Sequence, residues 1–212
     1  MKNQALTTKV FSDAAEKYAD KFMQYEDYFE NFDALLKELS PNSTVLDAAC
    51  GPGNITHYLL NKTPTLKITG IDLAPGMIEL AKKLNPTAKF EVADLNSIGE
   101  TKFKYDVVVC GFGLPYLTKG EAINFIRNSS KIIKPGGILY LSTMEDEYTK
   151  SDFQTQSSGK GPALFIHYHE YEYLKDNLET NGFGIINLDR RQYDHTADKS
   201  FCDLTIIAKK IN

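Results

Sequence analysis

Residues 43–54 read Ser-Thr-Val-Leu-Asp-Ala-Ala-Cys-Gly-Pro-Gly-Asn. Thr44-Val45-Leu46 is a short β-branched and apolar run, the pattern of a buried strand. Pro41 and Asn42 punctuate its start, and Cys50-Gly51-Pro52-Gly53-Asn54 breaks it. A helix-compatible stretch, Ile55 to Leu60, follows. Strand, glycine turn and helix form the first unit of a nucleotide-binding α/β sheet. Glycine there takes φ > 0 without a Cβ clash and lets backbone approach a ligand. Asp47 falls at the strand's end, where open parallel sheets bind their ligands.

Two cofactor classes use such a turn. The dinucleotide fingerprint G-x-G-x-x-G seats a pyrophosphate on the helix N-terminus. Gly51 and Gly53 supply its first two glycines, but Thr56 stands in the third place. Taken whole, Val45 to Gly53 closely resembles the first motif of the class I S-adenosylmethionine-dependent methyltransferases. The resemblance implies that the loop cradles an amino acid tail and a ribose instead of a pyrophosphate.

The next strand, Leu66 to Ile71, ends in Gly70-Ile71-Asp72-Leu73, with Asp72 lying 21 residues beyond Gly51. A carboxylate there can accept from two ribose hydroxyls, and that spacing suits NAD or S-adenosylmethionine alike. Asp72 through Ala81 resembles the family's second-strand motif, in which the residues matching Leu73 and Met77 flank adenine. Capping a helix is the plainer role for Asp72, and core packing the plainer one for Met77. After a third strand, Lys89 to Val92, the resemblance gives Asp94 the adenine amino group and the Leu95 N–H a ring nitrogen. Asp94 could instead cap the turn through Asn96-Ser97.

Tyr105 to Cys110 is a near-continuous apolar run, as expected of a strand covered on both faces. In the family this strand end, Cys110 onward, lies beneath the reacting methyl group. Many relatives carry a histidine pair near Pro115-Tyr116, and this chain does not. Tyr116 is a candidate to hydrogen-bond the acceptor, or it only packs. Glu121 to Ile133 reads as helix, Pro135-Gly136 as a tight turn, and Ile138 to Thr143 as a fifth strand, in a pattern that the family shares.

Upstream, Phe11, Ala15, Tyr18, Phe22, Tyr25, Phe29, Phe32, Leu36 and Leu39 recur at spacings of four and three. That stripe predicts helix over 11–39, with a possible break at Asp20. Core packing explains such a stripe. The resemblance adds a lid over residues 1–40, in which Phe11, Ala15, Tyr18 and Tyr25 would touch the cofactor and aromatic faces would suit a sulfonium.

Residues 145–163 are polar and without periodicity. They leave the ligand edge of the sheet, so 145–170 reads as a substrate-side loop insertion or as a passive loop. His167 and His169 follow, ahead of a helix from Tyr171 to Thr180. No third ligand of suitable spacing is visible, so no metal site is expected. Either histidine near a substrate could act as a base near neutral pH, or be an ordinary partly exposed residue. Gly184 to Leu188 and Leu204 to Ala208 read as an antiparallel closing pair, because Arg190 to Ser200 is too short and polar for a crossover helix.

The chain's 212 residues suit one domain with a sizeable core. The expected architecture is a Rossmann-like, doubly wound, seven-stranded mixed sheet, mostly parallel with the last strand antiparallel, over residues 41–212 behind an N-terminal helical lid. A net charge of −4 without a basic stripe argues against nucleic acid as the main partner. No apolar run is long enough to span a bilayer, and residues 1–11 lack a hydrophobic signal core. Cys50, Cys110 and Cys202 have no C-x-x-C spacing and read as free thiols in a reducing cytoplasm. The function expected is methyl transfer from S-adenosylmethionine to a small-molecule acceptor, by a monomer or homodimer. A non-catalytic S-adenosylmethionine-binding protein and an NAD-dependent oxidoreductase are the alternatives. The residues expected to hold cofactor are Tyr18, Asp47, Gly51, Gly53, Asp72, Leu73, Met77, Asp94, Leu95 and Cys110. Tyr116, His167 and His169 are the candidates for substrate, and the catalytic group and acceptor atom stay open.

Overall fold

The structure is a computed structural model that describes residues 2–155, 162–196 and 199–211. Its strands are β1 (Thr44–Ala48), β2 (Lys67–Asp72), β3 (Lys89–Val92), β4 (Tyr105–Gly111), β5 (Ile133–Glu145), β6 (Asp152–Gln154), β7 (Leu164–Ile166), β8 (Phe183–Thr196) and β9 (Lys199–Lys210). Its helices are α1 (Lys2–Asp13), α2 (Ala15–Phe22), α3 (Phe29–Leu36), α4 (Asn54–Lys62), α5 (Pro75–Leu84), α6 (Lys119–Ile132) and α7 (Tyr171–Thr180).

The main sheet has seven strands in the order β3-β2-β1-β4-β5-β9-β8. Pairings from β3 through β5 are parallel, and β9 runs antiparallel between β5 and β8. The order reverses at β1, with β2 on one side and β4 on the other, so the carboxyl ends of β1 and β4 open the crevice where such sheets bind ligands.

Alternation along the central strands explains why both sheet faces are covered. Val45, Val107, Val109, Ile138, Tyr140 and Ile207 point to one side and pack on Phe32 and Leu35 of α3 and Ile55 and Leu59 of α4. Leu46, Ala48, Val108, Cys110, Leu139 and Leu141 point to the other, against Phe125 and Ile126 of α6 and Leu174 and Leu178 of α7. A strand buried on both faces has no room for polar alternation, hence the unbroken apolar run of β4.

Four elements differ from the sequence expectation. The N-terminal stripe does not form one helix with a break at Asp20. It starts at Lys2, breaks at Ala14, ends its second piece at Phe22, and resumes through a 3-10 turn (Glu26–Tyr28) into α3. The stripe reports which residues are covered, and several short helices can keep it while each turns to meet a different surface. Next, α6 starts at Lys119, two residues early, because Thr118 and Glu121 form a reciprocal capping box: Glu121 N–H donates to Thr118 Oγ1 and Thr118 N–H to Glu121 Oε2. Pro135-Gly136 does not make a free tight turn. It sits in a bulge of β5, between Ile133 opposite Tyr105 and Ile138 opposite Val107, with Gly136 at φ +75°. Finally, the polar stretch after Arg190 continues β8 to Thr196, and β9 begins at Lys199. Half-exposed strands are polar by necessity, so polarity there was a poor stop signal.

The segment after β5 is not wholly irregular. A 3-10 turn (Tyr148–Lys150) leads to β6, which pairs antiparallel with β7, Asp152 opposite Ile166.

Candidate active site at the strand ends

The turn after β1 is built by left-handed backbone. Ala49 has φ +59°, Gly51 φ +53° and Gly53 φ +82°. At Gly53 a Cβ would also stand 2.5 Å from Asn85 Nδ2, whose amide donates to the Gly53 carbonyl at 3.2 Å. Gly53 is therefore required by packing and by the start of α4.

Asp47 is 1% exposed. Its Oδ2 accepts from Thr56 Oγ1 at 2.7 Å, while Oδ1 has no hydrogen-bond partner among the described residues. Burial pushes its pKa up to about 6, against the opposing Thr56 hydrogen bonds and with a smaller push from the nearby Asp72 charge. Thr56, the residue in place of a third glycine, is thus the group that holds this carboxylate. Sequence reading took Thr56 only as a missing glycine. Its hydroxyl, one turn into the helix and facing the strand end, was the available signal.

Asp72 sits at the end of β2. Its Oδ2 accepts from Gly51 N–H at 2.9 Å and its Oδ1 from Ala74 N–H at 2.8 Å, so it ties the glycine turn to the start of α5. Burial raises its pKa, opposed by the backbone N–H groups of Ala74, Gly51 and Leu73. It is not the N-cap of α5, a position held by Ala74. Asp94 does cap: its Oδ1 accepts from Asn96 N–H at 2.9 Å at the start of a 3-10 turn, and its Oδ2 accepts from Gln4 Nε2 at 3.1 Å.

A cavity of about 130 Å³ lies above these strand ends. Its floor and walls come from Gly51, Asp72, Leu73, Met77, Asp94 and Leu95, and from Gly111, Phe112, Gly113, Tyr116 and Leu117 after β4. One face of α1, Gln4, Thr7, Thr8 and Phe11, roofs it together with Tyr18 of α2. Gly76 N–H donates to Ser12 Oγ at 2.8 Å, so the end of α1 is seated on the first turn of α5. A Cβ on Gly76 would lie 2.3 Å from the Ser12 carbonyl oxygen, which makes glycine necessary at this crossing.

Seven rings run in contact around this region: Tyr116 to Phe11 (5.0 Å between centroids), Tyr18 (6.0 Å), Phe22 (4.5 Å), Tyr25 (5.7 Å), Tyr28 (5.3 Å) and Phe112 (5.1 Å). The chain of rings begins and ends on the same loop after β4. Phe112 is held at φ +54°, its N–H donating to the Ser142 carbonyl and hydroxyl at 3.2 and 3.0 Å. Burial pushes the hydroxyl pKa of Tyr18 up to about 12, with Asp72 adding to it.

The structure therefore gathers Tyr18, Gly51, Asp72, Leu73, Met77, Asp94, Leu95 and Tyr116 around one cavity. Asp47 and Gly53 stand behind its wall. Cys110 is fully buried under it, its thiol pushed up to about 12 by burial, and serves as packing rather than lining. His167 and His169 do not line the cavity either. His169 uses both ring nitrogens, Nε2 donating to the Leu114 carbonyl at 2.8 Å and Nδ1 accepting from the Tyr173 hydroxyl, so it has no lone pair free for a substrate. Gln4, Thr7, Thr8 and Phe112 are lining residues that the sequence did not single out. No group of three or more His, Cys, Asp or Glu side chains fit to hold a metal occurs among the described residues. Nor is any helix among them long and apolar enough to cross a membrane.

Residues 45–137 match a family described as a methyltransferase domain. An uncharacterized methyltransferase of Oceanobacillus iheyensis is 28% identical over 215 residues, covering 95% of this chain and 96% of that protein. A malonyl-[acyl-carrier protein] O-methyltransferase of Hahella chejuensis is 30% identical over 153 residues, 71% of this chain; the chain spans only 53% of that relative's length. In fold, the chain is similar to an S-adenosylmethionine-dependent methyltransferase structure from Methanosarcina mazei, with a TM-score of 0.71 at 20% identity, over 84% of this chain and 97% of that one. The glycine turn and the carboxylates at the ends of β1 and β2 and just past β3 all lie within residues 45–137, the part of the chain that is similar to a methyltransferase domain.

Proposed function

We propose that this chain transfers a methyl group from S-adenosylmethionine to a small-molecule acceptor in the cavity between α1 and the strand ends. The observation that carries the reading is the buried Asp47, with one oxygen unpartnered among the described residues, beside Asp72 and close to the glycine turn. A site with a buried carboxylate, Asp47, a half-buried one, Asp72, and a third, Asp94, on its wall suits a ligand bearing positive charge. S-adenosylmethionine carries an ammonium and a sulfonium, whereas NAD would bring a pyrophosphate to the same carboxylates and find no third glycine.

In this reading the free oxygen of Asp47 takes the ammonium, directly or through one water. Asp72 holds the ribose hydroxyls with the lone pairs that Gly51 and Ala74 leave open. Leu73 and Met77 pack the adenine, and Asp94 with the Leu95 N–H reads its edge, Gln4 giving way. Tyr18 and Phe11 present ring faces to the sulfonium. The bound cofactor supplies an activated methyl group for in-line displacement. The protein's own part is to hold donor and acceptor in line under a roof that excludes water. Tyr116, on the side of Phe11, is the side chain placed to meet the acceptor.

The domain division that supports this is a lid of α1 and α2 over a core that starts with the 3-10 turn at Glu26. The chain's assembly in this reading is a monomer or a homodimer. Three thiols without a disulfide fit a cytoplasmic protein. Calorimetric titration with S-adenosylhomocysteine and with NAD tests the reading: heat with the first and none with the second is expected, and the reverse overturns it.

A further inference from the structure

The loop after β4 makes a large part of the cavity wall through Gly113, Tyr116 and Leu117. Its middle is a single 3-10 turn, Leu114–Tyr116. One such turn has little stability of its own, and it is closed by Tyr116 N–H to Gly113 O at 3.2 Å and Leu117 N–H to Leu114 O at 2.8 Å. Something outside the turn has to fix it.

The stretch 167–169 runs alongside it. His167 N–H donates to Pro115 O at 2.8 Å, and the His169 ring donates from Nε2 to Leu114 O at 2.8 Å. Two successive carbonyls of the turn are thereby tied down. His169 is fully buried, and two more of its polar groups engage two further elements: its N–H reaches Met144 O of β5 at 3.0 Å, and its Nδ1 accepts from Tyr173 of α7. A carbonyl can only accept, so Nε2 must carry the hydrogen and Nδ1 the lone pair. The tautomer is fixed by its neighbours. Burial also pushes the pKa of His169 down to about 4, which keeps the ring neutral around pH 7 and in that tautomer. Lys119 reinforces the far side, its Nζ 4.3 Å from the centre of the Tyr173 ring and 3.4 Å from Glu170 Oε2.

We propose that His169 is a positioning residue: it pins the turn 114–117 from behind and so sets where Tyr116 and Leu117 stand in the cavity. The importance of that wall rests on the methyltransferase reading of the cavity; the pinning itself does not.

Hydrogen exchange and S-adenosylhomocysteine titration on the full chain test it, with His169→Phe and His169→Gln. Phenylalanine keeps ring bulk and loses both ring hydrogen bonds, while glutamine can still place an N–H at the Leu114 carbonyl. His169→Phe is expected to speed exchange of the Tyr116 and Leu117 amides about tenfold, the size of one lost hydrogen bond, with the Val45 and Val108 amides unchanged. It is expected to weaken S-adenosylhomocysteine binding in parallel, and His169→Gln should restore both. The proposal is overturned if exchange in 116–117 stays at the wild-type rate, if all core amides speed up equally, if His169→Gln behaves as His169→Phe, or if the turn loosens while affinity is unchanged. Absence of S-adenosylhomocysteine binding to the wild type would sink the methyltransferase reading and leave the exchange result to stand by itself.

Discussion

Replacing Asp47 with asparagine should make the ligand-free protein more stable and the cofactor complex weaker. The side chain is 1% exposed, one oxygen bonded to Thr56 and the other without a partner among the described residues. Its pKa lies at about 6 in the folded chain against 3.8 when free. A carboxyl raised on folding is favoured in its protonated form, so folding stability is full below 3.8 and is lost as pH rises through about 6. The difference between those two values corresponds to about 3 kcal/mol once the group is ionised, on the order of a third of a typical domain's stability. Asp47→Asn removes that loss and still offers Thr56 an acceptor.

Thermal or urea unfolding measured at pH 4 and at pH 8 should therefore show the variant level with wild type at the low pH. At the high pH it should be ahead by about 1–3 kcal/mol. In titration at pH 8, S-adenosylhomocysteine should bind the variant about 10–100-fold more weakly, because a charge-assisted contact to the ligand's ammonium is gone. Wild-type affinity should itself fall as pH drops below about 6, since the ligand must then displace a proton from Asp47. A variant that is less stable than wild type at pH 8, or that binds S-adenosylhomocysteine unchanged, would refute the reasoning.

Thr56→Val, close in shape, removes the hydroxyl that donates to Asp47 Oδ2 while keeping the backbone N–H, and should cost about 1–3 kcal/mol at pH 8 and less at pH 4, read by the same unfolding curves. Asp72→Asn keeps the volume and should weaken S-adenosylhomocysteine binding by about 2–3 kcal/mol in titration, with only a small loss of melting temperature; unchanged affinity would leave Asp72 as a tie between the glycine turn and α5 alone. Gly76→Ala places a Cβ 2.3 Å from the Ser12 carbonyl, so it should lift α1 and raise hydrogen exchange in residues 2–13 while the sheet amides keep their protection.

The sheet was legible because its physics is one-dimensional. β1, β4 and the glycine turn declare themselves through composition over a few residues, and the carboxylates at positions 47, 72 and 94 follow from where those strands stop. What stayed hidden depends on neighbours distant in sequence. Thr56 gains its meaning only when the helix folds back beside β1. Gln4, Thr7 and Thr8 are unremarkable polar residues until α1 crosses α5 at Gly76. His169 reads as a possible base by its type, but its place behind the Leu114 turn, with both nitrogens used, makes it a support. The capping box at Thr118 and Glu121 was readable and passed over, and the helix start was missed by two residues as a result.

The N-terminal segment illustrates how one apolar stripe can serve two ends. Its second part is anchored to the far edge of the sheet: Tyr28 donates to Asp203 Oδ2 at 2.6 Å, Asn31 to Asp189 and Thr205, and Phe32 and Leu35 enter the core. Its first part rests on α5 through Ser12 and Gly76, on Asp94 through an exposed hydrogen bond from Gln4, and on the small cluster of Ala15, Ala74 and Met77. The two parts should therefore separate energetically. Ligand sites for molecules of cofactor size run to roughly 300 Å³ or more, and the cavity under α1 is about 130 Å³. Opening for a cofactor must then come from the part with the weaker ties, which is α1 with α2. Deleting residues 1–23 is expected to leave a cooperative unfolding transition and to reduce S-adenosylhomocysteine affinity at least tenfold, because Phe11 and Tyr18 leave with the roof. Loss of cooperative unfolding on that deletion would show that α1 and α2 belong to the core. The same deletion carried on to residue 36 removes Phe32 and Leu35 from beneath the sheet and should abolish folding, since two buried large side chains are worth about 5–10 kcal/mol, comparable to the stability of a whole domain.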